Sequence, residues 1–291
     1  MDTNKLISGR KLAALEKQKI KEKVEKLPRA PALAVILVGD NEASHLYVRS
    51  KEKYALEVGI KTELFEFDGT TSANTLISLI EELNENKNID GILVQLPLPK
   101  HLKPEEILFH ISPFKDVDGL HPVNRGKLML KNQGIVPCTP KGCLKMIKST
   151  GISLEGKVAV VVGRSLLVGN PMAQILLREN CSVIQAHSHT KDLGSLTKQA
   201  DILVSAVGQL NLIKADMVKE GAIVIDVGMN RGKDGKLQGD VVFEEVLPKV
   251  SYITPVPGGV GPMTISMLFQ NTLECAAFFL PHLSDVIKTE E

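Results

Sequence analysis

A chain of 291 residues is long enough for one large domain or two of ordinary size, each with a real core. Its 35 Lys+Arg against 34 Asp+Glu leave a net charge of +1, which removes the overall electrostatic case for nucleic acid or an anionic membrane. No apolar run approaches the roughly 20 residues that span a bilayer, the opening Met1-Asp2-Thr3-Asn4-Lys5 lacks the order of a signal peptide, and Cys138, Cys143, Cys181 and Cys275 show neither C-x-x-C nor zinc-ligand spacing, so a cytoplasmic protein with reduced, buried thiols and no metal is expected.

In chain order, residues 9–27 read as a charged helix with Leu12, Leu15, Ile20, Val24 and Leu27 near one face. Ala32–Val38 is a strand closed by Gly39, and Asn41-Glu-Ala-Ser44 leads into a helix that Gly59 ends. Lys61–Phe67 is a second strand, 73–86 a helix and Gly91–Leu96 a third strand. This alternation argues for a parallel sheet with helices on both faces. From Pro97 the texture changes. Pro97, Pro99, Pro104, Pro113, Pro122, Pro137 and Pro140 fall close together, the mark of surface connections at strand ends. A helix opened by Pro140 and closed by Gly151 is the candidate bridge between two domains.

The second alternation starts at Gly156: strand 158–162, helix 170–179, strands 182–186 and 201–206, helix 214–220 and strand 222–227. Gly228 to Gly239 reads as a hairpin and Tyr252–Thr254 as extended. Pro255-Val-Pro-Gly-Gly-Val-Gly-Pro-Met-Thr264 then precedes an apolar helix to about Leu280, and the last ten residues are expected to fray.

Val158–Pro171 is the first candidate site. Five apolar residues suit a buried parallel strand, and Gly163 and Gly169 let the backbone turn. Asn170-Pro171 reads as an N-cap and first-turn proline. Free N–H groups at such a helix start can hold a phosphate, although the spacing is not G-x-G-x-x-G and an ordinary βα unit is the alternative. An NAD site wants a carboxylate about 20 residues past the glycines. The chain offers His187-Ser188-His189-Thr190 instead, and Arg164 directly follows Gly163, where a guanidinium suits a 2′-phosphate. NADP is therefore favoured over NAD, unless Arg164 is a surface arginine paired with some acid.

Tyr47 and Lys51 are i and i+4 on one helix. A ring beside an amine can stack a flat heterocycle while the amine handles protons; a solvated face with Arg49 and Lys53 is the bland alternative. Gln95, at the carboxyl end of a strand, stands where open α/β sheets bind ligands, or else satisfies loop backbone. Asp118 could accept two N–H bonds from an amino-pyrimidinone edge, or form an Asx-turn. The glycines of 257–261 let a ligand approach closely, or simply make a loop.

Tyr47-Val-Arg-Ser-Lys51, Gly91-Ile-Leu-Val-Gln-Leu-Pro-Leu-Pro99, Lys115-Asp-Val-Asp-Gly119, Pro137-Cys-Thr-Pro-Lys-Gly142, Val162-Gly-Arg-Ser165 and Pro255–Thr264 stand in one order. Together they resemble the bifunctional methylenetetrahydrofolate dehydrogenase/methenyltetrahydrofolate cyclohydrolase family, in its stand-alone bacterial form, over nearly the whole chain. The resemblance implies that 5,10-methylenetetrahydrofolate gives a hydride to NADP+, and that water opens the methenyl product to 10-formyltetrahydrofolate. It implies that Lys51 assists the water, Gln95 positions Lys51, Tyr47 stacks on the pterin system and Asp118 holds the pterin edge. Val94, Gln95 and Leu96, with Pro257, Gly258, Gly259, Val260, Gly261, Pro262, Met263, Thr264 and Ile265, match the folate-contacting segments. Gly163, Arg164, Ser165 and Ser188 match the NADP contacts, and the backbone near Met229 lies beside the nicotinamide. His189 stands where many relatives carry lysine, and it adds a charge only when protonated.

The expected architecture is two-domain α/β with the active site in the cleft between domains. Residues 1–147 with 271–291 form a three-layer folate lobe onto which the C-terminal helix packs back, and 148–270 form a Rossmann-like, doubly wound NADP lobe. Family members dimerise through the nucleotide lobe, so a homodimer is expected. Two rivals are an NADP-dependent oxidoreductase on another small molecule and a non-catalytic nucleotide-binding module. Loss of Lys51, Gln95 or Asp118 would have favoured the second, and all three are present.

Overall fold

The computed structural model describes residues 3–232 and 235–279. They fall into two compact units, one of residues 15–138 with 265–279 and the other of residues 3–14 with 139–264.

The chain begins with helix α1 (Gly9–Val24). Its buried positions are Ala13, Ile20 and Val24, while Leu15, expected on the inner face, is 61% exposed. At about 100° per residue Leu15 lies roughly opposite Ala13, so the face runs through the small residue. Strand β1 (Ala32–Val38) is buried along its whole length, as a central strand covered on both faces must be. Helix α2 (Glu42–Val58) follows; Asn41 Oδ1 accepts from the Ser44 N–H at 3.0 Å, and Gly59 ends it at φ 78°. Strand β2 (Lys61–Phe67), helix α3 (Ala73–Glu85, capped by Ser72) and strand β3 (Gly91–Val94) complete a three-stranded parallel sheet of order β2-β1-β3. Its core joins Ile36 and Val38 to Leu76, Ile80, Ile92 and Val94. Below the sheet, the Arg29 guanidinium forks onto Asp90 with two 2.6 Å contacts, and Asp90 also accepts from the Ala32 N–H.

The proline-rich stretch is more ordered than its composition suggests. Helix α4 (Pro104–Leu108) and helix α5 (Pro122–Met129) both start on a proline, whose missing N–H costs nothing in a first turn.

Helix α6 (Cys138–Lys148) leads into the second sheet: strand β4 (Val158–Val162), helix α7 (Gly169–Arg178), strand β5 (Ser182–Ala186), helix α8 (Leu193–Thr197), strand β6 (Ile202–Ser205) and strand β7 (Ile223–Asp226). The expected helix over 214–220 is only a single 3-10 turn, Ala215–Met217. Its Val218 side chain is buried while the chain there is already extended, so packing has overridden a weak helical pattern. The expected hairpin is present as β8 (Asn230–Arg231) and β9 (Leu237–Gln238). Helix α9 (Phe243–Val246), strand β10 (Tyr252–Ile253) and helix α10 (Val260–Phe279) close the described chain. Leu280 and the last ten residues lie outside it. The second sheet is wholly parallel, of order β10-β7-β6-β4-β5. In each sheet the first strand of the unit sits between strands that follow it on opposite sides. This creates a topological switch point, at the carboxyl ends of β1 and β3 in one unit and of β4 and β6 in the other.

Candidate active site

In the first unit the chain leaves β1 through Gly39 and returns as α2, which carries Tyr47 and Lys51 one turn apart. It leaves β3 at Gln95. The Lys51 ammonium donates to Gln95 Oε1 at 2.7 Å, and the Gln95 amide donates onward to the Leu96 carbonyl. The amide is thus fixed with its oxygen toward the amine. Burial pulls Lys51 below the usual lysine range, against the attraction of Asp118 and Cys138. Burial likewise pushes Asp118 above the usual carboxylate range, against the Lys51 charge. An amine that has lost part of its proton affinity, held by a neutral acceptor, can take a proton from water at lower pH than a free lysine amine. Tyr47 is 41% exposed on the same face, so its ring is accessible for stacking.

The Lys115-Asp-Val-Asp-Gly119 block divides its work. Lys115 is buried and donates to the carbonyls of Leu83 and Asn86. Asp116 is buried too, accepting from the N–H groups of Leu120 and His121 and from the Asn124 amide. Both are scaffold. Val117 crosses so close over Gly91 that a Cβ there would collide with it. Asp118 alone of these charged residues is electrostatically coupled to Lys51.

Two contributors escaped the sequence reading. The Cys138 thiol donates toward the Val117 carbonyl at 3.3 Å and lies 3.6 Å from Asp118 Oδ1. Asn271, buried on α10, donates to the carbonyls of Val117 and Val136 at 2.7 and 2.9 Å. Asn271 stands more than 130 positions from these partners, a separation that local pattern does not bridge. The run of glycines also differs from the expected loop. Gly261, Pro262, Met263 and Thr264 already belong to the first turns of α10, with Pro262 at a position that needs no backbone donor.

In the second unit Gly163 leaves β4 at φ 131° and packs so that a Cβ would come within 2.6 Å of the Ala206 carbonyl. Asn170 is not the N-cap. The N-cap position is Val168, which has no side-chain cap bond; Ser165 Oγ accepts from the N–H groups of Val168 and Gly169 in the turn before α7, at 3.1 and 3.3 Å, while Asn170 Oδ1 accepts from the Gln185 amide. α7 begins one residue earlier than the pattern suggests, so Asn170 lies inside its first turn. Arg164 is exposed and, among the described residues, makes no hydrogen bond or ion pair. Ser188 is also exposed, in the turn after β5. The β4–β5 register, ending at Val162 opposite Ala186, brings Arg164 and Ser188 out at neighbouring strand ends. Met229 is exposed in the loop after β7.

The sequence matches the tetrahydrofolate dehydrogenase/cyclohydrolase catalytic domain over residues 7–118 and the NAD(P)-binding domain of the same family over residues 137–279. The chain belongs to the tetrahydrofolate dehydrogenase/cyclohydrolase family. It is 53% identical to the bifunctional protein FolD of Listeria innocua over 274 residues, covering 93% of this chain and 96% of that one. The crystal structure of the bifunctional FolD of Campylobacter jejuni superposes with a TM-score of 0.92 at 50% identity, covering 94% and 98% of the two chains. The Trypanosoma brucei FolD, solved with NADP cofactor and an inhibitor, gives a TM-score of 0.88 at 37% identity, covering 95% and 97%. Among the described residues no helix is long and apolar enough to cross a membrane.

Proposed function

We propose that this member of the tetrahydrofolate dehydrogenase/cyclohydrolase family oxidises 5,10-methylenetetrahydrofolate with NADP+ to the 5,10-methenyl compound and hydrolyses that to 10-formyltetrahydrofolate. The observation that carries the reading is the Lys51–Gln95 hydrogen bond at a switch point, with Lys51 held below its ordinary range.

In the hydrolytic step a water oxygen bonds to the methenyl carbon and its proton passes to Lys51. The carbon–N5 bond then breaks as the new hydroxyl becomes the formyl carbonyl, its proton passing to N5; the formyl group stays on N10, and Lys51 releases the first proton to solvent. Lys51 can act this way because burial disfavours its charge, and Gln95 keeps its lone pair aimed. Tyr47 stacks on the pterin system, Asp118 accepts from the pterin edge, and Val94 to Leu96 line the folate. These assignments divide the chain into a folate-handling part, 1–147 with 271–291, and a nucleotide-handling part, 148–270.

NADP+ supplies the hydride acceptor when bound. The residues fit it: Gly163 turns at φ 131° where a Cβ would meet the Ala206 carbonyl, Arg164 offers a guanidinium that has no hydrogen-bond or ion-pair partner among the described residues, and the 187–190 turn lacks a carboxylate that would repel a 2′-phosphate. Ser165 and Ser188 add hydroxyls, and the backbone at Met229 faces the nicotinamide half. A cytoplasmic homodimer is the form in which this enzyme works; β5 ends the second sheet as an edge strand, which natural proteins cover or pair.

The role of Lys51 is tested by Lys51→Met, which leaves no amine to take the water's proton. Methenyltetrahydrofolate hydrolysis is expected to disappear, and survival at the parent rate would refute it.

A further inference from the structure

Behind the proposed nucleotide site lies a pair of buried carboxylates that the reaction above does not use. Asp226, at the end of β7, accepts from the N–H groups of Gly228, Asp240 and Val241, each at 2.9 Å. Asp240 is 0% exposed and takes five donors. Its Oδ2 accepts from Ser205 Oγ and the N–H groups of Val207 and Gly208, at 3.0, 3.0 and 3.3 Å. Its Oδ1 accepts from the Gln209 N–H at 2.8 Å and the Asn230 amide at 3.1 Å. The donors to Asp240 come from the last residue of β6, the loop that follows it, and Asn230 at the far end of the loop that leaves β7, at the carboxyl edge where ligands of open α/β sheets bind. The same loops expose two apolar side chains, Val207 at 40% and Met229 at 55%. Gly228 and Gly239 leave no room for a Cβ beside the carboxylates, so the cluster is closely built rather than incidental.

We propose that Asp240 is a positioning residue for the dehydrogenase: it ties the loops 206–209 and 227–230 together so that Val207 and Met229 form an apolar platform for the nicotinamide ring. This rests on the NADP assignment above. A carboxylate is the group that suits the task, because all five partners donate and a buried acceptor-only group satisfies them together. Hydrolysis of the methenyl compound needs no nicotinamide, so the two activities separate a positioning role from a general structural one.

Asp240→Asn keeps the shape but turns an NH2 toward N–H donors. In this variant the Kd for NADP+ by calorimetry and the dehydrogenase KM for NADP+ are expected to rise about tenfold or more. Amide exchange in 206–209 and 227–230 of the ligand-free protein should quicken, and methenyltetrahydrofolate hydrolysis should stay within about twofold of the parent. Asn230→Ala removes one donor only and should shift the same quantities less; if the first variant does not fold, this one decides. Unchanged NADP+ binding and loop exchange, or equal loss of both activities in a folded variant, would overturn the inference. A parent protein without NADP+-linked turnover would instead fail the functional reading on which it rests.

Discussion

Arg164→Ala is the substitution whose effect the structure isolates most cleanly. The side chain is exposed and has no hydrogen-bond or ion-pair partner among the described residues, so its removal breaks no such contact with them. Surface substitutions of that kind stay within about 0.5 kcal/mol in stability. Its proposed partner is a phosphate that NADP+ carries and NAD+ lacks. A hydrogen bond to a charged group is worth roughly 1.5–3 kcal/mol, which at about 1.4 kcal/mol per tenfold corresponds to about 10- to 150-fold in affinity. The KM for NADP+ should rise by that factor, the KM for NAD+ should stay close to the parent value, and the thermal midpoint should not move. Initial rates with each cofactor at saturating folate, beside a melting curve, give all three. An equal loss with both cofactors would show that Arg164 supports the turn, and the reasoning from its unpaired guanidinium would be wrong.

Further expectations concern charge and packing in the first unit. Asp118→Asn removes the attraction that opposes burial at Lys51. The lysine pKa then falls further, the neutral amine forms at lower pH, and the acid limb of the cyclohydrolase kcat profile should move to lower pH; a shift toward alkali would contradict the coupling. Arg29→Leu leaves the Asp90 carboxylate, 1% exposed, with the Ala32 N–H as its remaining hydrogen-bond donor among the described residues and the Lys115 charge as a further electrostatic partner. A loss of about 2–4 kcal/mol in denaturant unfolding is expected, and a loss below about 1 kcal/mol would mean that the fork contributes little.

Much of the fold was legible because its local rules agree. β1 and β4 lie where the apolar runs and their bounding glycines put them, β2 covers the expected Lys61–Phe67, and Asn41 and Gly59 cap α2 as their types require. The structure departs from the pattern where packing and turn geometry decide the outcome. Leu15 was placed inside by spacing, but Ala13 takes that face. Asn170 has the type of a cap, yet the helix starts at Gly169 with Val168 in the cap position, and Asn170 bonds Gln185 instead. α4 and α5 were hidden because proline reads as a breaker until the first turn of a helix is known. Residues of the candidate site were findable as chemistry-bearing types at strand ends. Asn271 and Cys138 were not, since a buried amide and a thiol acquire meaning only once Val117 and Val136 are beside them.

The central claim is that one chain both oxidises and hydrolyses the folate one-carbon unit, using NADP+. Incubating the purified protein with 5,10-methylenetetrahydrofolate and either NADP+ or NAD+, while following reduced cofactor and the methenyl and 10-formyl products spectrophotometrically, tests it directly. The account predicts rapid turnover with NADP+, weaker turnover with NAD+, and 10-formyltetrahydrofolate as the end product. Absence of cofactor reduction with this substrate, or a methenyl product that is never hydrolysed faster than in buffer, would contradict it.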